Sequence, residues 1–127
     1  FLAVGGFQPK LHVYGEEALL AMDLAVEGWG LAYLPTLVVR HLPLPNGRDP
    51  AARRRLTIRN DLLTTWLRRP ATRAVREAAR ALSTPDGRGG LHDALAELPW
   101  VLRHRRRVPP HLEAALRRLE TGQATVG

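Results

Sequence analysis

Apolar residues recur at helical spacing once in the first part of this chain and repeatedly in the second. From Glu16 to Glu27 the positions Leu19, Leu20, Met22, Leu24 and Val26 predict a helix, with Gly28 and Gly30 at its C-terminal end. Leu31 to Leu34 and Thr36 to Leu42 are different: short unbroken apolar runs interrupted by Pro35, the pattern of buried strands. Helix followed by strands is the grammar of an α/β protein. After a loop containing Pro43, Pro45, Asn46 and Gly47, Asp49 is placed to cap a helix whose first position is Pro50 and which runs to about Arg68. Pro70 kinks or restarts it, and Ala71 to Leu82 keeps the helical period. Pro85-Asp86-Gly87-Arg88-Gly89-Gly90 reads as a flexible linker. Leu91 to Arg106 predicts a helix bent at Pro99, Pro109-Pro110 opens another through Leu119, and Thr121 to Gly127 reads as a frayed tail.

Composition narrows the classes. At 127 residues with 45% apolar side chains, the chain can build one modest core. With no cysteine, a disulfide framework and a thiolate zinc site are both excluded. No apolar stretch reaches the roughly 20 residues of a membrane-spanning helix, and no signal-peptide order opens the sequence. A cytoplasmic location is permitted. The opening Phe1-Leu2-Ala3-Val4-Gly5-Gly6-Phe7 has neither an initiator methionine nor a helix start, which reads as a piece of a longer protein.

Charge divides the chain again. Residues 1–48 carry three basic and four acidic side chains, and residues 49–127 carry sixteen and eight. Eighteen of the nineteen cations are arginine, whose fork suits phosphate, although a GC-rich coding sequence also favours arginine. Arg53-Arg54-Arg55, Arg68-Arg69 and Arg103 to Arg107 flank Leu62, Leu63, Trp66, Trp100 and Leu102. These clusters read either as solvated faces of packed helices or as a peripheral contact with an anionic membrane surface. No nucleic-acid-binding motif accompanies them, so no nucleic acid partner is expected.

The densest chemistry lies between Gly5 and His41. Gly5-Gly6 forms a turn, the acids Glu16 and Glu17 begin a helix where carboxylates complement its dipole, and His41 follows the second apolar run. No zinc-protease, serine-hydrolase, P-loop or dinucleotide motif occurs.

Taken in order, Phe1-Leu2-Ala3-Val4-Gly5-Gly6-Phe7, Tyr14-Gly15-Glu16-Glu17, Gly28-Trp29, Ala32-Tyr33-Leu34-Pro35 and His41 resemble the second half of the catalytic domain of family-two inverting glycosyltransferases. The likeness continues into Arg59-Asn60 and Trp66-Leu67-Arg68-Arg69-Pro70, which look like the helical tail of an actinobacterial-type branch. The resemblance implies residues 1–48 as the C-terminal, acceptor-side part of a GT-A (Rossmann-like) α/β domain, and residues 49–127 as a mainly helical extension. It implies Glu17 as general base, Glu16 as its acidic neighbour, Gly5, Gly6, Phe7 and Trp29 beside the acceptor, and His41 at a divalent cation, Mg²⁺ or Mn²⁺. Implied partners are a nucleotide-sugar donor and a glycan or lipid-linked acceptor, with a missing N-terminal half or self-association covering the sheet edge. The implied location is the cytoplasm, peripheral at the inner face of the plasma membrane, and the chain by itself is expected to be inactive.

Departures from the family pattern are specific. Gln8 stands where Asp is common, Glu17 replaces Asp in the acid pair, and Leu19 and Asp23 occupy positions where many members carry Asp and Arg. No Asp-x-Asp occurs anywhere. Two rival readings are a ligand-binding effector module like that of LysR-type regulators and a helical domain that docks on a membrane or protein partner.

Overall fold

The computed structural model describes residues 1–32, 34–40 and 49–124, with the backbone alone at Gln123 and Ala124. A short 3-10 helix, Leu2–Val4, precedes six α-helices: α1 (Glu16–Val26), α2 (Pro50–Arg68), α3 (Ala71–Ala81), α4 (Pro85–Ala96), α5 (Leu98–His104) and α6 (Pro110–Ala124). Local chemistry explains the main boundaries. The Gly28 N–H donates to Ala25 and the Trp29 N–H to Leu24, with Gly28 at φ 81°, so α1 closes with a Schellman turn that glycine makes inexpensive. Asp49 accepts the Ala51 N–H at 2.9 Å and Pro50 opens α2, as the sequence predicts. Arg69 is extended before Pro70, which ends α2 and lets α3 restart in a new direction.

α2 is the central helix. Its Leu62, Leu63, Trp66 and Leu67 form the core with Leu11, Leu19, Ala81, Ala94 and Val101. Full burial of one such leucine contributes roughly 1.5–3 kcal/mol. The segment after α5 returns beside the end of α2: the N–H groups of Arg106 and Val108 donate to the Leu67 and Arg68 carbonyls at 2.9 Å each. These bonds satisfy acceptors that a helix C-terminus otherwise leaves open. Arg68 pairs bidentately with Asp23 of α1 at 2.5 and 2.8 Å, joining the front of the chain to the helical body.

Three expectations are corrected. The described residues are helical and contain no strand, so the α/β, GT-A-like expectation for residues 1–48 fails. Leu31, Ala32, Leu34 and residues 36–40 make no ladder; a turn bond from the Leu37 N–H to Leu34 appears instead. A strand needs a neighbour for its backbone groups, none is offered among the described residues, and Pro35 lacks a donor. Val38 and Val39 are left 86% and 91% exposed.

Secondly, the expected linker Pro85–Gly90 is the first half of α4. Pro85 occupies its first turn, and the Thr84 hydroxyl accepts the Gly87 N–H at 3.0 Å. Its glycines serve close packing. A Cβ on Gly87 would stand 2.1 Å from the Ala81 carbonyl oxygen, and one on Gly90 would stand 2.9 Å from both the Arg55 carbonyl oxygen and Ile58 Cγ2. Thirdly, the break beyond α4 falls at Glu97, two residues before Pro99, and α6 continues past Leu119 to Ala124.

Candidate functional site

The acid pair sits at the start of α1, where both carboxylates complement the helix dipole. Glu17 is exposed, whereas Glu16 is half-buried with its Oε2 enclosed and without a hydrogen-bond partner. The loop leading into the pair is an unusual backbone: His12 and Tyr14 have φ of 56° and 69°, and Gly15 follows at 92°. Left-handed conformations cost a non-glycine residue on the order of 1 kcal/mol or more each, so something must hold this loop.

Asn60 of α2 does so. Fully buried, it donates through Nδ2 to the carbonyls of Leu11, Val13 and Tyr14 at 2.6, 2.8 and 2.8 Å. Arg59 beside it donates to Asn60 Oδ1 at 2.7 Å and to the Lys10 carbonyl at 3.1 Å. Glu97 completes the frame, receiving Lys10 at 2.7 Å and Arg59 at 3.3 Å. The hydrogen bond from Lys10 is the main reason the Glu97 carboxyl is held below its ordinary pKa. Arg53 lies over the Tyr14 ring, 4.8 Å from its centroid. The loop that presents Glu17 is thus fixed by side chains from α2 and from the α4–α5 junction.

No family model, curated protein or solved structure matches this chain. Function therefore rests on the geometry and on the order of residues.

The other expected site residues are placed unevenly. Gly5 and Gly6 form a left-handed turn at φ 87° and 66°, and a Cβ on Gly6 would meet the Phe1 ring at 3.0 Å. Phe7 packs edge-on against Phe1 with centroids 5.3 Å apart, and the 3-10 helix before the turn touches α1. The Gly-Gly-Phe turn and the acid-bearing helix therefore belong to one local unit. Trp29 lies beyond the other end of α1 and is exposed, so α1's length separates it from the acids. His41, the expected metal position, lies outside the described residues. Among the described residues no group of three or more His, Asp or Glu side chains is set to hold a metal ion.

Sequence reasoning quoted Arg59-Asn60 without a role and missed Lys10 and Glu97. A buried Asn in the middle of an apolar helical face was the available signal, because a buried amide needs partners. Asp23, where many members of the resembled family carry Arg, is occupied by its pair with Arg68.

The arginines divide into two sets. Arg54 pairs with Asp86 and Arg55 with Asp93, both joining α2 to α4, and Arg69 joins α2 to α6 through Glu113 and Glu120. By contrast, Arg53, Arg88, Arg103, Arg106, Arg107 and Arg118 have no carboxylate partner among the described residues, and three of these, Arg103, Arg106 and Arg107, follow exposed Leu98 and Leu102 closely in the chain. Arg105 lies between them with its pKa lowered, by burial first and by the nearby charge of Arg107 second. No helix among the described residues is long and apolar enough to cross a membrane.

Proposed function

We propose that this chain carries the acceptor side of a nucleotide-sugar-dependent glycosyltransferase, with Glu17 as the general base. The observation that carries the reading is the clamp: Asn60, within one stretch of the family-like sequence, fixes the backbone that presents the acid pair of another. The reading uses the order of residues, the helix and the clamp, and takes nothing from a sheet. In the step assigned to it, the Glu17 carboxylate accepts the proton of an acceptor hydroxyl. That oxygen then bonds to the anomeric carbon of the donor as the carbon–oxygen bond to the nucleoside diphosphate breaks, with inversion. Exposure suits Glu17 to this task, and the enclosed Glu16 serves as its structural neighbour. The described residues do not assemble a metal-binding set, so no step is assigned to a cation here.

The test is release of nucleoside diphosphate from a panel of nucleotide sugars with Mg²⁺ or Mn²⁺, using the longest protein the gene encodes. Glu17→Gln should lower kcat by about 10²–10⁴-fold without moving the melting temperature. Unchanged turnover in the variant, or no consumption of any nucleotide sugar by the parent, would refute the assignment.

A second reading, compatible with the first, is peripheral attachment at the inner face of the plasma membrane. It is favoured by exposed Leu98 and Leu102 followed closely in the chain by Arg103, Arg106 and Arg107, which have no carboxylate partner among the described residues. Sedimentation with anionic vesicles should fall on replacing these three arginines with glutamine, and equal binding to neutral vesicles would remove the reading.

A further inference from the structure

A cavity of about 810 Å³ lies between α1, α2, α3 and α6. Three helices turn a stripe of spacing i, i+3, i+4, i+7 towards it. On α1 these are Ala18, Ala21, Met22 and Ala25, and on α6 they are Leu112, Ala115, Leu116 and Leu119. On α2 the stripe is Ile58, Asp61, Leu62 and Thr65. Such stripes ordinarily close on one another as core. Here they face a space of the size and apolar character of a small-molecule site.

α6 is held at the cavity's far side by charge. Arg69, itself buried, reaches Glu113 at 2.6 Å and Glu120 at 2.7 Å, and Arg73 reaches Glu120 at 2.5 Å. Glu77 takes Arg80 at 3.0 Å. The rim charges therefore neutralise one another.

Asp61 is different. Of the eight acids in residues 49–127, six are ion-paired and Asp49 caps α2; only Asp61 has neither hydrogen bond nor ion pair among the described residues. It lacks a partner in a half of the chain where basic residues outnumber acidic ones sixteen to eight. Its side chain is exposed at the cavity's edge, where partial desolvation by the neighbouring walls pushes its pKa up. An unmatched carboxylate at the edge of an apolar cavity selects a ligand with an apolar body and a cationic head.

We propose that this cavity binds an aliphatic ligand ending in a primary amine, the ammonium pairing with Asp61 at the cavity's edge while the chain lies along the stripes of α1 and α6. A fatty carboxylate of the same length should be disfavoured, because its charge would meet Asp61 and the rim arginines are already engaged. This site is independent of Glu17 and of any sugar chemistry.

The experiment is calorimetric titration of this chain with decylamine below its micelle concentration, with decanoate as the contrast, and with nitrogen–proton correlation spectra to locate the site. Decylamine should bind saturably at one site and shift amides of α1, α2 and α6. Asp61→Asn should weaken it by about three- to fivefold. Asp61 has no partner to lose, so the fold should survive its substitution, which the same spectra check. Ala115→Phe should block entry by filling the cavity; should that variant unfold, Asp61→Asn still decides. Decanoate binding as tightly as decylamine, unchanged affinity in Asp61→Asn, or no saturable binding to millimolar concentration would each overturn the proposal.

Discussion

Replacing Asn60 should both unfold the chain more easily and release the loop that presents Glu17. Its amide carries two protons shared among three carbonyls, and only the Leu11 bond is fully buried, those to Val13 and Tyr14 being partly accessible. Asn60→Ala leaves the Leu11 carbonyl enclosed and unpaired, at about 1–3 kcal/mol. The two accessible carbonyls can take water in exchange, so together they cost about 1 kcal/mol more. The positive φ angles of His12 and Tyr14 then persist without their restraint. A loss of about 2–4 kcal/mol follows, a large share of the 5–15 kcal/mol that a domain typically has.

Asn60→Asp separates the electrostatic part from the packing part. The carboxylate keeps the shape but turns a second oxygen towards three carbonyl oxygens. Its folded-state pKa should be raised, so the added penalty is present above that value and fades as pH falls and the group protonates. Urea unfolding followed by tryptophan fluorescence at pH 7 and pH 4.5 gives both numbers, and hydrogen exchange of residues 10–15 reports the loop. A loss below about 0.5 kcal/mol, the level of an ordinary surface change, with unchanged loop protection, would refute the clamp. So would an Asn60→Asp variant whose deficit does not shrink in acid.

Two further outcomes test the helical body. Gly90→Ala should destabilise by about 1–3 kcal/mol, because overpacking against Arg55 and Ile58 outweighs the gain in helix propensity; Gly122→Ala, with open space around its Cβ, should stabilise by up to about 1 kcal/mol. Thermal melts that rank these two the other way would contradict the packing of α4. For α6, burial pushes the Glu113 and Glu120 carboxyls up, but hydrogen bonds from Arg69, joined by Arg117 and Arg73, outweigh it and hold both below the ordinary range. Depressed carboxyl pKa values stabilise above the unfolded value, about 4.3, and the contribution is lost as pH falls through the folded values. Amide shifts around Glu120, away from His111 at the start of α6, should stay constant from pH 7 to 5 and change in acid, and Glu113→Gln with Glu120→Gln should release the helix at pH 7; attachment at pH 2.5 would refute the latch.

What the sequence made legible was what neighbouring residues decide. Asp49-Pro50 and Gly28 mark ends of helices through bonds made within a few residues, and both are read correctly from the sequence. Pro85–Gly90 was misread because its composition is that of a loop, while its use depends on how near α4 comes to Arg55 and Ile58, residues some thirty positions away. Leu37-Val38-Val39 was misread for a related reason: an apolar run permits a strand, but only a second strand makes one. The Glu16-Glu17 helix start was legible, the frame that holds it was not, since Asn60 contacts residues 46 to 49 positions away.

The arginines show why composition alone leaves function open. A sequence count cannot separate a cation that joins helices from one that faces a ligand, since both carry the same charge at the same spacing. Pairing separates them: Arg54, Arg55, Arg68 and Arg69 each close on a carboxylate of another helix, and removing one would strand the partner acid. Once those pairs are set aside, one run of cations without a carboxylate partner follows exposed Leu98 and Leu102, from Arg103 to Arg107, and one acid without a partner, Asp61, stands at the cavity's edge. Unmatched groups of opposite sign at separate sites call for partners of opposite chemistry, an anionic surface at the first and a cationic ligand at the second. Arg106→Gln should therefore weaken vesicle binding and leave decylamine affinity unchanged, while Asp61→Asn does the reverse. A variant that moved both affinities together would show that the two sites are one.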